Sequence, residues 1–349
     1  MGERGESEVL GGIAATGLVV AAARAAEQLR PDRLFDDPFA ELFVRAASAI
    51  GAPDAPDEVS AVSVSDALDA LDALDALDVP DVPDVPEVPE VPDVPDAPDA
   101  PDAPDAVGVV GAGGGRESPV GERARAFLRE MGDQPAVRTA FLDERLLSAA
   151  HAGCRQVVLL AAGMDTRAFR LNWPEGTRVF DVDFAEVLRL KLRVLDQARA
   201  TPRCDHRPVA ADLRDDWGAA LRARGFSAGQ PTAWLAEGIL YALPPAAADL
   251  LLDRITAQSA PGSLFAADHI ERSPALDAAT ATMSTDLVDH WQSGPAEPLE
   301  SWLARYHWTP HVTDLAAVTS HYGRPVPAVF DARRPGTSRG WLVTADLPR

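Results

Sequence analysis

From residue 153 onward, short apolar runs bounded by turn residues alternate with amphipathic stretches of helical length, and few architectures accept that alternation. R-Q-V-V-L-L-A (Arg155–Ala161) is apolar almost throughout, the pattern of a strand covered on both faces. Strands are expected at Arg155–Ala161, Thr177–Val182, Asp205–Ala210, Thr232–Ala236 and Ser263–His269, with helices at Phe184–Ala200 and Pro244–Gln258. Val326–Asp331 and Arg339–Ala345 read as two more strands, joined through R-R-P-G-T-S as a hairpin. The expected fold is α/β: an open, mostly parallel sheet whose last strand runs antiparallel. Ligands of such sheets bind at the carboxyl ends of the strands, where the strand order reverses.

Ahead of this core, Ala14–Leu29, Pro38–Ile50, Gly121–Glu130 and Pro135–His151 read as helices, the second entered behind Asp37 with Pro38 at its first position. They form a helical cap, residues 1–52 and 116–152, interrupted at 53–115; residues 153–349 form the core. Within the interruption an acidic residue recurs at every third position from Asp66 to Asp105, first in D-A-L units, then in V-P-D, V-P-E and A-P-D units. Leucines three apart drift around a helix of 3.6 residues per turn and make no apolar stripe. The prolines remove donors and favour polyproline II, so this Asp/Pro-rich insertion is expected to be a disordered, solvated excursion. It also explains the net charge of −22: residues 53–105 hold 17 of the 54 acids, leaving 37 against 32 bases.

No basic cluster is available to displace counterions from phosphates, and the one lysine is Lys191, so nucleic acid is not an expected partner. The apolar stretches are too short, or interrupted by Arg24, for a bilayer span of about 20 residues, and residues 1–8 lack a secretory pattern. Cys154 and Cys204 alone supply neither a disulfide framework nor a C-x-x-C metal motif. A cytoplasmic, thiol-reduced protein without membrane partners or a bound metal is expected.

The first strand runs into L-L-A-A-G-M-D-T-R-A-F-R-L (Leu159–Leu171), a small turn at Gly163 with Asp165 at the start of a helix. The G-x-G-x-x-G fingerprint of dinucleotide binding is absent. Asp165 either caps the helix or faces an amino-acid-like or nucleoside ligand. The second strand ends in V-F-D-V-D, where an acid can accept from both hydroxyls of a ribose; Asp183 is at the strand end and Asp181 two residues earlier on the same side. After the third strand, A-D-L offers Asp212 to an adenine amino group and Leu213 to its ring, although an Asp there is as often a cap. The fourth ends in A-E-G-I-L-Y-A-L-P, which sets Glu237 at the centre of the carboxyl edge.

R-T-A-F-L-D (Arg138–Asp143), the A-A-G-M-D-T-R-A-F-R-L segment, V-F-D-V-D, A-D-L and A-E-G-I-L-Y-A-L-P together resemble the leucine carboxyl methyltransferase-like family of S-adenosylmethionine-dependent methyltransferases. R-A-A-E-Q-L-R-P-D-R-L-F-D-D-P-F-A looks like that family's entry helices, so the likeness spans the chain outside the acidic tract. It implies the class I methyltransferase fold, Rossmann-like, with a seven-stranded sheet and a terminal antiparallel hairpin. It implies, too, that Arg138 pairs with the cofactor carboxylate, Gly163 lines its methionine end with Glu237 nearby, Asp183 holds the ribose, and Asp212 and Leu213 hold the adenine. One departure is Ala161, where the family usually has glycine.

A sulfonium cofactor carries an activated methyl, so the protein must chiefly align donor and acceptor and exclude water. A carboxylate acceptor is already ionised at neutral pH, whereas a hydroxyl needs a base. His269, read as lying just past the fifth strand, is the candidate base; His307, His311 and His321 are placed in the late helices as structural or pocket-lining groups. Trp291, Trp302 and Trp308 either roof an apolar pocket or belong to the core. The leading expectation is an O-methyltransferase acting on a carboxylate or hydroxyl of a small molecule, or on an exposed carboxyl group. The rivals are a nicotinamide-dependent oxidoreductase and a cofactor-binding regulator without turnover.

Overall fold

The computed structural model describes residues 17–50, 131–274, 276–277 and 293–349. The acidic tract, the glycine-rich stretch 108–115, the expected helix Gly121–Glu130 and Trp291 lie outside the described residues.

Helix α1 (residues 17–28 as described) and α2 (Ala40–Ile50) precede α3 (Gln134–His151), β1 (Gln156–Leu160), α4 (Arg167–Arg170) and β2 (Arg178–Asp183). Then come α5 (Ala185–Gln197), β3 (Asp205–Ala210), α6 (Trp217–Ala223), β4 (Thr232–Ala236), α7 (Pro245–Ala257) and β5 (Leu264–Ile270). The chain finishes with α8 (Leu299–Arg305), β6 (Thr309–Asp314), α9 (Leu315–His321) and β7 (Gly340–Asp346). The seven strands form one sheet in the order β3-β2-β1-β4-β5-β7-β6. The first five are parallel, and β7 runs antiparallel to both β5 and β6. This is the class I methyltransferase fold. The order reverses between β1 and β4, which marks the ligand crevice.

Strand periodicity assigns the two faces of the sheet. Val157 and Leu159 of β1 pack with Leu235 and Ala266 into a core that includes Val137, Leu142 and Leu146 of α3 and Leu195 of α5. Val158 and Leu160 join the opposite core with Phe180, Trp234 and Phe265, where Trp217 meets Trp234 edge-on at 5.9 Å. Trp302 and Trp308 belong to that second core, their indole N–H groups donating to Asp249 and to Thr256 Oγ1 at 2.8 Å each. They are not a pocket roof. Both edge strands carry a proline, Pro208 in β3 and Pro310 in β6, which removes a ladder donor where unpaired edges invite association. No helix among the described residues is long and apolar enough to cross a membrane.

The terminal pairing differs from expectation. Val326–Asp331 is not a strand: Pro325 and Pro327 deny it donors, and it closes into a 3-10 turn (Ala328–Phe330) that buries Val329 and Phe330. The partner of β7 is Thr309–Asp314, so His311 is on an edge strand and His307 in a turn at φ +68°; of the three late histidines only His321 lies in a helix. At the other end α2 starts at Ala40, not Pro38; the Asp37 carboxylate ahead of it accepts from Arg24 Nε at 2.8 Å and from Phe39 N at 3.2 Å.

Candidate functional site

The turn after β1 is fastened to the end of β2. Ala162 N donates to Val182 O at 3.1 Å and Gly163 N to Asp183 Oδ2 at 2.7 Å. Achieving this reversal requires left-handed backbone at both Ala161 (φ +51°) and Gly163 (φ +46°). Glycine adopts that conformation freely, whereas alanine carries a steric penalty. Ala161→Gly is therefore expected to raise folding stability by about 0.5–1 kcal/mol, the penalty of about 1–2 kcal/mol less the extra chain entropy of glycine. Chemical denaturation checks this, and an unchanged or lower midpoint contradicts it.

Beside the turn, at the switch point, opens a cavity of about 520 Å³. Gly17, Val20 and Arg24 of α1 form one wall, Gly163 through Asp165 and Asp183 the floor, and Glu237 through Ile239 with Tyr241 through Leu243 the side towards β4. Arg138 of α3, Asp212, Leu213 and Arg214 complete it together with α7. All seven residues expected to contact cofactor thus border one space.

Around its inner end runs a buried chain of ion pairs. Arg138 reaches Glu237 Oε1 at 2.9 Å and Asp268 Oδ2 at 3.0 Å. Arg167 holds Glu237 Oε2 at 2.7 Å, Asp143 Oδ1 at 2.6 Å and Asp165. Arg170 binds Asp143 through Nη1 at 2.5 Å, and Arg24, paired with Asp37, donates to Met164 O at 2.6 Å. Burial alone would raise the Asp165 carboxyl, but Arg167, Lys191, Arg24 and Arg170 overcome it and hold it at about 2. Burial opposes Arg167 and Arg138 at Glu237 as well, and the guanidinium groups prevail, keeping it below the ordinary range.

Asp183 is different in kind. Among the described residues it has no guanidinium partner; its oxygens accept from Gly163 N and Phe184 N at 2.7 Å each, and burial outweighs those bonds and raises its pKa. Asp181, on the same face, is bound to Lys191 Nζ at 2.6 Å and His206 Nε2 at 2.8 Å beneath the surface and does not border the cavity. The Asp212 carboxylate grips the Arg214 guanidinium, with Nη2 at 2.6 Å, a hydrogen bond that lowers its pKa. Asp165, expected either to cap the helix or to face a ligand, borders the cavity and also accepts from Arg167 N at 2.7 Å.

His269 lies inside β5, not past it. Alternation then sends Asp268 to the Arg138 face and His269 to the other, where a Cβ on Gly294 would stand 2.7 Å from its Cε1. His269 does not border the cavity, and burial lowers its pKa. Asp268, which sequence reasoning passed over, ties Arg138 to Gly238 N at 2.6 Å. Arg167 and Tyr241 were passed over too. The one signal for Asp268 was its alternation with Ala266 on a buried strand.

An S-adenosylmethionine molecule fits these groups by its chemistry. The inner end offers the buried guanidinium of Arg138, which borders the cavity and is suited to an amino-acid carboxylate. Asp183 stands at the end of β2 with Leu213 on the same cavity, an acid suited to ribose hydroxyls and an apolar side chain suited to a base.

Residues 113–256 match the family model described as leucine carboxyl methyltransferase. A protein of Parafrankia sp. (strain EAN1pec), named for S-adenosyl-L-methionine-dependent methyl transfer, is 37% identical over 349 residues, covering 98% of this chain and 90% of its own. Another of that name from Mycolicibacterium gilvum (strain PYR-GCK) is 43% identical over 224 residues, 61% of this chain and 72% of its own. With that likeness running nearly end to end on a class I fold, the chain belongs to the leucine carboxyl methyltransferase family.

Proposed function

We propose that this S-adenosylmethionine-dependent methyltransferase methylates a carboxylate oxygen, carried by a small molecule or an exposed carboxyl group. Bound cofactor supplies a sulfonium-activated methyl. Arg138 would receive its carboxylate, Asp183 the ribose hydroxyls, and Asp212 and Leu213 the adenine. The rival oxidoreductase and regulator readings have no comparable support, since the family is enzymatic and transfers methyl groups.

One observation carries the choice of acceptor. Among the described residues bordering the cavity, the carboxylates are already engaged: Asp165 and Glu237 by guanidinium groups, Asp212 by Arg214, Asp183 by two amides. Three of them are held below their ordinary pKa, which makes them weak bases, and Tyr241 is pushed well above its own by burial and Asp268. An acceptor that arrives ionised needs none of them. Alignment and exclusion of water are then the protein's task, which the apolar walls of Leu159, Leu235 and Ile239 serve.

Incubating the protein with methyl-labelled cofactor and a panel of carboxylic acids, phenols and alcohols tests the proposal. A methyl ester that releases labelled methanol in mild alkali is expected. An alkali-stable methyl ether as the main product would overturn it.

A further inference from the structure

Arg254 sits in the last turn of α7, where an arginine ordinarily does no more than complement the helix dipole. Here its Nη1 turns away from its own helix to the loop after β3. It lies 3.0 Å from Leu213 O, 3.1 Å from Arg214 O and 2.5 Å from Asp215 O, three consecutive carbonyls. The first of these belongs to the same rigid peptide unit as the N–H of Arg214. That N–H donates at 2.8 Å to Asp212 Oδ1. A trans peptide directs its carbonyl and N–H oppositely, so the grip on one end aims the other at Asp212. Leu213, whose carbonyl is held, borders the cavity, as do Ala247, Leu250 and Leu251 of the helix that carries Arg254.

We propose that Arg254 is a positioning residue for recognition of the cofactor base: by clamping the 213–215 carbonyls to α7 it fixes the Asp212 carboxylate and the Leu213 side chain as an adenine-reading edge. The proposal rests on the reading that Asp212 and Leu213 receive the adenine. Asp212 is an acceptor, so it favours a base bearing an amino group over one bearing a carbonyl at the same position, and a loosened loop loses that preference first.

The test compares S-adenosylhomocysteine with its inosine counterpart, in which a carbonyl replaces the amino group, by calorimetry on the full chain. Arg254→Met is expected to weaken the adenosine ligand about five- to tenfold while moving the inosine ligand less than about twofold, with the melting temperature little changed. Should Arg254→Met not fold, Arg254→Lys gives the same readout with a smaller expected change of about two- to threefold. Equal weakening of both ligands, or an unchanged preference, overturns the proposal. Asp212→Ala separates the two levels of the argument. If it abolishes the preference while the Arg254 variants keep it, the positioning role alone fails; if it leaves the preference intact, the adenine reading fails and the role of Arg254 with it.

Discussion

Replacing Arg167 by methionine is expected to lower folding stability by about 3–5 kcal/mol, the range for removing one partner from a buried ionic cluster. The side chain is 3% exposed and touches three carboxylates, those of Asp143, Asp165 and Glu237. Two of these keep another cation: Arg170 remains on Asp143 and Arg138 on Glu237. Asp165 loses the cation nearest to it, and Lys191, Arg24 and Arg170 act on it only at longer range. Its carboxyl, held at about 2 in the native protein, then answers mainly to burial and rises. The sign of the pH dependence follows. A depressed pKa contributes stability that is present above the unfolded value near 3.8 and is lost as pH falls towards about 2. A raised one does the reverse, destabilising the fold as pH rises through it. The stability gap between wild type and Arg167→Met is therefore expected to be wider at about pH 8 than at about pH 5. Urea denaturation at the two values measures it. A loss under about 1 kcal/mol, the scale of an exposed pair, would show that the cluster is more solvated than its burial indicates.

The same cluster shows what was legible in the sequence. Strands buried on both faces announce themselves, and β4 falls where the apolar pattern places it, at Thr232–Ala236. Edge strand β6 does not. T-P-H-V-T-D has no apolar run because only part of it is covered, so β6 passes for connecting chain while V-P-A-V-F, apolar but starved of donors, passes for a strand. Position within a strand decides which face a side chain takes: His269, expected at the carboxyl end of β5 beside the site, lies within a strand that runs on to Ile270, and alternation turns it to the far face and Asp268 to Arg138. The site itself was half visible. Asp183, Asp212 and Glu237 stand at strand ends, where topology places ligands, and local sequence finds them. Arg138 and Gly163 entered with their roles through the family resemblance. The pairings of Arg138 with Asp268 and of Arg24 with Met164 join residues 130 and 140 positions apart, and no local pattern records them.

Two carboxylates on one strand provide the sharpest division between fold and function. Asp183→Ala is expected to weaken binding of S-adenosylhomocysteine by about 1–3 kcal/mol, through two lost ribose contacts, with a smaller effect on stability because no buried cation is stranded. Asp181→Ala is expected to do the opposite. It leaves Lys191, which is fully buried, without its carboxylate, and His206 without its acceptor, a loss of about 3–5 kcal/mol of stability. Whatever protein remains folded should still bind the ligand. The pH dependence adds a second readout. Burial raises the pKa of Asp183, and the ribose hydroxyls need the ionised form, so wild-type affinity should fall on acidification sooner than an ordinary aspartate would dictate. Asp183→Ala should lack that decline. Calorimetry paired with thermal melting on both variants distinguishes the cases. If Asp181→Ala weakens the ligand more than Asp183→Ala while both melt alike, the ribose is read from the deeper carboxylate. Lys191 would then be part of the cofactor site rather than a prop beneath it.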